Sequence, residues 1–272
     1  METPADGLGR RWAFRTALGI AALTCLPYLY DRTLQGIAPL YGLYTWCAYN
    51  VTDHAVYLSW MRQYADGAWT QRNLFTTLPQ AGHQFNLFFL ILGALSRWTG
   101  MPAIAVYHAA RLASIPVCLM LVWRLGELLL SAPLQRRTAF LTVALSSGLG
   151  WIPGFWERGF AGPVDTWQPE AVTFLSLYLY PLFTVSLVLM LATLICLIEA
   201  ERRRSFRHAL GAGAFACILG NVHTYDIITL SAVWLAMVGV AGGARLRGGR
   251  CAPPFVPDRG TPLRMLAAGL PG

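Results

Sequence analysis

Lysine is missing altogether. All 21 basic residues are arginine, set against 13 acidic ones, for a formal net charge of +8. Charge of either sign is scarce: 12% of the 272 residues carry it, about half the share of a soluble domain. With 56% hydrophobic residues, this shortage excludes an ordinary soluble domain and points to lipid. A positive balance alone would suit nucleic acid. The arginines, however, sit in short runs between apolar stretches, as in the cytoplasmic loops of membrane proteins, so nucleic acid is not an expected partner. The missing lysine itself carries no functional meaning.

Other absences narrow the chemistry. The six cysteines follow no CxxC or other metal-type spacing. Cys25, Cys118, Cys196 and Cys217 fall in apolar stretches, Cys251 lies near a basic segment, and Cys47 has no partner in its loop. Neither a disulfide nor a metal site is expected. There is no glycine-rich phosphate loop, no HExxH and no GxSxG. A DxD of the nucleotide-sugar kind is missing too. No cofactor is expected to be required; a divalent cation stays open as an alternative that no ligand motif supports.

What remains is apolar length. The start, "METPADGLGRRWAFRTALGIAALTCLPYLYD", is basic and then apolar, like a secretory signal. Its apolar part runs through Tyr28 and Tyr30 with no small-x-small cleavage pattern before Asp31, so a retained first helix is expected. Apolar candidates cover 12–30, 84–98, 103–130, 138–156, 171–198, 206–222 and 226–243. Arginine groups at 10–15, 136–137, 202–207 and 245–250 mark the cytoplasmic side. Parity between the first two groups requires that one of three candidates does not cross. Residues 85–98, at about 21 Å, are too short, and Gly100 and Pro102 stop them. They read as a helix against the outer interface.

The expected fold is therefore all-α: a polytopic membrane protein with about six transmembrane helices. A large first external loop, 31–102, would contain amphipathic juxtamembrane helices. Residues 1–250 form one transmembrane domain. Residues 251–272 read as a cytoplasmic loop and the start of a further helix, as in a piece of a longer protein. The expected location is a bacterial plasma membrane, with the N-terminus cytoplasmic and the polar chemistry outside.

That chemistry gathers on one side. In "DHAVYLSWMRQYAD", residues 53–66, the spacing puts Val56, Tyr57, Trp60, Met61 and Tyr64 on one helical face, and Gly67 stops the helix. Thr52 or Asn50 would cap it, leaving Asp53 in the first turn, where the dipole favours a carboxylate by about 0.3–1 kcal/mol. Asp53 is either a base or the charge that any helix N-terminus favours. Glu157, Asp165 and Glu170 lie in the Trp-, Gly- and Pro-rich loop 151–171, with Glu170 nearest a helix mouth. His223 and Asp226 in "GNVHTYD" are more than a turn requires. His83 precedes the interface helix, and His108 shares a helix face with Arg111. Glu127 pairs with Arg124 one turn away.

The order of parts resembles the beginning of the C-type membrane glycosyltransferases, of the protein mannosyltransferase and aminoarabinose transferase kind. It rests on Asp53-His54, Gly67-Ala68-Trp69, Pro79, the 84–98 helix and Ala110-Arg111-Leu112, and covers about residues 12–130. Where that family carries a second acid, this chain carries His54. The resemblance implies transfer of a sugar from a polyprenyl-phosphate donor to an external lipid, glycan or protein acceptor. Asp53 would be the base and His54 would orient it or donate a proton. Arg111 would hold the phosphate or pair with a carboxylate or carbonyl. His83, His108, Asp165, Glu170, His223 and Asp226 would complete a substrate site. A transporter or flippase, or a catalytically silent scaffold of the same architecture, is the alternative expectation.

Overall fold

The computed structural model describes residues 4–34, 50–150, 152, 156, 168, 170 and 172–246. These are helical. The first helices are α1 (Pro4–Leu23), α2 (Leu26–Leu34), α3 (Val51–Ala65), α4 (Leu87–Thr99) and α5 (Ala103–Leu129). Then come α6 (Pro133–Leu145), α7 (Thr173–Leu179), α8 (Pro181–Arg203), α9 (Phe206–Val222) and α10 (Tyr225–Leu246). Among the described residues the one β contact is an antiparallel bridge between Gln71 and Gln84.

Three helical stretches among the described residues are long and apolar enough to cross a membrane: Gly7–Tyr30, Ala103–Leu129 and Pro181–Arg203. Leu87–Thr99 and Tyr225–Gly239 are apolar but shorter. The expected interface helix thus has the expected length, closed at Gly100 with φ 70°. Two expected apolar stretches have other bounds. In place of 138–156, α6 has 13 residues and ends at Leu145, about 20 Å. In place of an unbroken 171–198, the chain breaks at Tyr180, in extended conformation, before Pro181. Proline disfavours α-helical geometry for the residue before it and suits the first position of the next helix.

α8 packs along α9 and α5, α1 packs on α5, and α3 packs on α4. Ala13, Ala17 and Ala21 let α1 approach α5 closely, against Ile115, Leu119 and Trp123. Large apolar side chains stay exposed around the bundle, among them Phe206, Leu210, Ile228 and Leu235. Patches of that kind suit lipid better than water.

One end of the bundle is an arginine–carboxylate network. Glu127 accepts from Arg10 Nε and Nη2 at 2.8 and 3.0 Å, from Trp123 at 2.9 Å and from Arg124 at 3.1 Å. Arg124 continues to Glu199 at 2.6 Å, which also accepts from Arg203 at 2.6 Å. Arg137 lies over the Trp12 ring. Three of the four arginine groups thus meet at one end of the bundle.

At the opposite end α3 lies on α4 with almost no gap. A Cβ on Gly93 would come within 2.6 Å of Tyr64 Cβ and 2.7 Å of the Met61 carbonyl oxygen. Both neighbours are core atoms with no room to retreat. Gly93→Ala is expected to lower stability by about 1–3 kcal/mol, read as an earlier thermal transition in detergent micelles. An unchanged transition would show that α3 and α4 are not held this closely.

Candidate active site

A cleft of about 930 Å³ opens where the heads of α3, α4 and α8 meet the turn between α9 and α10. Asp53, Tyr57, Trp60, Glu170, Phe183 and His223 line it, together with several Asn and Gln amides. Its size is that of a small-molecule site.

Asp53 sits in the first turn of α3, as its sequence position implies, but the cap works differently. Asn50 occupies the cap position in left-handed conformation, φ 48°, and makes no side-chain cap bond. Its amide instead donates to Asp53 Oδ2 at 3.0 Å. Tyr180 completes the arrangement, its hydroxyl 3.2 Å from the Asn50 carbonyl and 3.4 Å from Asp53 Oδ2. The break before Pro181 is what frees Tyr180 to reach across. The Thr184 hydroxyl lies between two carbonyls the break leaves open, 3.1 Å from that of Ser176 and 3.3 Å from that of Tyr180, and its one proton serves one of them at a time. Burial, then the charges of Asp53 and Glu170, push the Tyr57 phenol above its ordinary range.

The second polar group comes from the α9–α10 turn. His223 Nδ1 lies 3.1 Å from Asp226 Oδ2, and Nε2 lies 4.0 Å from Glu170 Oε1. The Ser186 hydroxyl of α8 donates to the same Asp226 oxygen, and Gln168 donates to Glu170 Oε2. The polar excess of "GNVHTYD" is therefore part of the cleft wall.

Asn86 and Asn221 hold these parts together. Asn86 caps α4, accepting from the backbone of Phe88 and Phe89, and donates to the Val222 carbonyl at 3.0 Å. Asn221 returns the contact, accepting from Leu87 N–H at 2.7 Å and donating to the Phe85 carbonyl at 3.2 Å.

Four expected site residues lie elsewhere. His54 does not share the cleft with Asp53. It is fully buried, ringed by Tyr107, His108 and Tyr180 at centroid distances of 5.6, 6.3 and 4.7 Å. One residue along a helix is a rotation of about 100°, which carries the side chain from the cleft to the core. Burial first, then the charges of His108 and Arg111, lower its pKa to about 3. Arg111, 2% exposed, is likewise outside the cleft lining. It donates to Thr24 Oγ1 at 2.9 Å and lies 4.3 Å over the Tyr28 ring. Thr24 in turn donates to the Ala21 carbonyl at 2.7 Å, so the guanidinium faces the negative end of α1. His108 stacks edge-on against the same Tyr28 at 5.0 Å. It shares the Arg111 face as expected, within the bundle.

His83 is exposed in a separate hollow of about 340 Å³ with Asn73, Pro79 and Gln80. Asp165 and Glu157 lie outside the described residues. Of the expected set, the structure brings Asp53, Glu170, His223 and Asp226 together. Tyr180, Asn86, Asn221 and Ser186 were not foreseen. The X-Pro break at 180–181 and an Asn just ahead of an apolar helix were the signals for the first two. No protein family, curated protein or solved structure matches the chain.

Proposed function

We propose that this chain is a multi-pass membrane glycosyltransferase of the C type, moving a sugar from a polyprenyl-phosphate donor to an acceptor. The supporting observation is Asp53, a carboxylate held by Asn50 and Tyr180 at the mouth of a ligand-sized cleft between aromatic and amide side chains. The cleft lies at the bundle end opposite the arginine network, which on the positive-inside rule is the external face. A cytoplasmic N-terminus fits that orientation.

In the reaction an acceptor oxygen or nitrogen forms a bond to the anomeric carbon, and its proton passes to the Asp53 carboxylate. The bond from that carbon to phosphate oxygen breaks, and its electron pair leaves with the polyprenyl phosphate. Glu170 lies on the same cleft and adds negative charge that favours the cationic sugar of a dissociative displacement. Arg111, bonded to Thr24 and stacked on Tyr28, secures the α1–α2 break rather than the departing phosphate.

Turnover of a radiolabelled panel of polyprenyl-phosphate sugars in proteoliposomes tests this reading. Asp53→Asn keeps the shape and removes the base, so the rate is expected to fall by about 10²–10⁴-fold. Equal turnover in both proteins would remove Asp53 from the mechanism. No turnover of any donor by the wild type would favour the transporter or scaffold reading.

A further inference from the structure

Two arginines of α1 stand on its outward side. At about 100° per residue, Ala13, Ala17, Ile20 and Ala21 turn one side of α1 toward α5, which sets Arg11 and Arg15 on the opposite side. Both are exposed, and neither has an ion pair or hydrogen bond among the described residues. They lie one turn apart, about 6 Å along the axis, close enough for like charges to repel. Their helical stretch, Gly7–Tyr30, is long and apolar enough to cross a membrane. A charge on the lipid side of such a helix calls for a counter-charge.

Protein carboxylates do not supply it. Glu127 accepts from Arg10 and Arg124, Glu199 accepts from Arg124 and Arg203, and Glu201 pairs with Arg204. A third guanidinium joins instead. Trp12 is wedged against Trp123 and Phe140 at centroid distances of 5.8 and 5.7 Å. It carries the exposed Arg137 of α6 at 5.2 Å over its ring. Trp12 is roughly 60° round α1 from Arg15, so Arg137 flanks the same face.

Three guanidiniums without a carboxylate suit a phosphate, which the arginine fork meets with two parallel hydrogen bonds. The neighbours on α1 decide what carries that phosphate. Phe14 and Leu18, 48% and 47% exposed, flank Arg15 on the outward side and offer acyl chains an apolar surface, of which free phosphate makes no use. A headgroup with its own ammonium returns positive charge to the patch, whereas one without it leaves the attraction whole.

We propose that Arg11, Arg15 and Arg137 form a site for the headgroup of an anionic phospholipid, of the phosphatidylglycerol kind. The site lies at the arginine end of the bundle, opposite the cleft. It is separate from any donor bound there and stands whether or not the cleft transfers a sugar.

Native mass spectrometry of the purified chain reads the site, with release from detergent micelles holding equal phosphatidylglycerol and phosphatidylcholine of matched acyl chains. Phosphatidylglycerol is expected to be retained about tenfold or more over phosphatidylcholine. Arg11→Gln with Arg15→Gln should bring that ratio near one, and Arg137→Gln should lower it. Arg11→Lys with Arg15→Lys keeps the charge, loses the fork and should keep part of the margin. Arg207→Gln, at an exposed arginine of the same end on α9, controls for net charge and should leave the ratio unchanged. Inorganic phosphate in excess should not displace the lipid. If the paired Gln protein has an earlier thermal transition without lipid, Arg15→Gln alone takes its place. Equal retention of the two lipids, or a margin undiminished in the Gln variants, overturns the proposal. So does an equal loss in Arg207→Gln, which would mean bulk charge, or displacement by inorganic phosphate, which would mean a site for the free ion. No sugar donor is present, so the outcome is independent of the turnover assay.

Discussion

Replacing His54 with phenylalanine is expected to leave the protein at least as stable at neutral pH and clearly less sensitive to acid. The imidazole is fully buried, and neither ring nitrogen has a hydrogen bond among the described residues. An unpaired buried polar group costs about 1–3 kcal/mol. Phenylalanine fills the same aromatic box without that penalty. The acid effect follows from proton counting. In the unfolded chain the histidine takes up a proton below about pH 6.5, whereas in the folded protein its pKa is lowered to about 3. Between those values the unfolded state holds the extra proton, so stability falls as pH falls. From pH 6.5 to 4.5 this one residue contributes a loss of roughly 2–3 kcal/mol. Carboxylates titrate in both proteins, so the difference between wild type and His54→Phe isolates the histidine. Thermal unfolding in detergent at the two pH values reads it. An equal fall in both proteins would mean that His54 is hydrated or paired.

Glu127→Ala is expected to lower stability by about 1–3 kcal/mol. Its carboxylate, 8% exposed, accepts four hydrogen bonds from Arg10, Trp123 and Arg124. Alanine leaves the buried Trp123 N–H and the half-buried Arg10 fork without this acceptor, and orphaning such donors costs about 1–3 kcal/mol. Glu127→Gln keeps the shape and an acceptor oxygen and should lose less. The ordering wild type, Gln, Ala in thermal transition is the test. Alanine matching wild type would make the network ornamental.

These two positions mark where sequence reading stops. The helical class, the length of α4, the stop at Gly67 and the meeting of arginine groups at one end follow from local composition and charge. So does the first-turn place of Asp53, because capping is decided within a few residues. The fate of His54 does not. An imidazole suits either face of a half-buried helix, and its face depends on which neighbour packs there. Arg111 was expected to meet a phosphate, a carboxylate or a carbonyl, and it meets a hydroxyl, an aromatic face and a helix end supplied by Thr24, 87 positions away, and its neighbours in α1 and α2. The Arg124–Glu127 pair was local and visible. The link from Glu127 to Arg10 spans 117 positions, and nothing in spacing announces it. Within the cleft, Asp53, Glu170, His223 and Asp226 were legible as scarce polar residues on one side. Tyr180 was not, because a tyrosine in an apolar run looks like core until Pro181 is allowed to break the helix.

The exchange between Asn86 and Asn221 makes a mechanical joint of two segments far apart in the chain. Each asparagine both gives and takes, so α4 cannot slide or tilt at its head without dragging the turn that carries His223. Lateral pressure or a bound chain pushing on α4 from the lipid side would thus be felt as a displacement of the cleft wall.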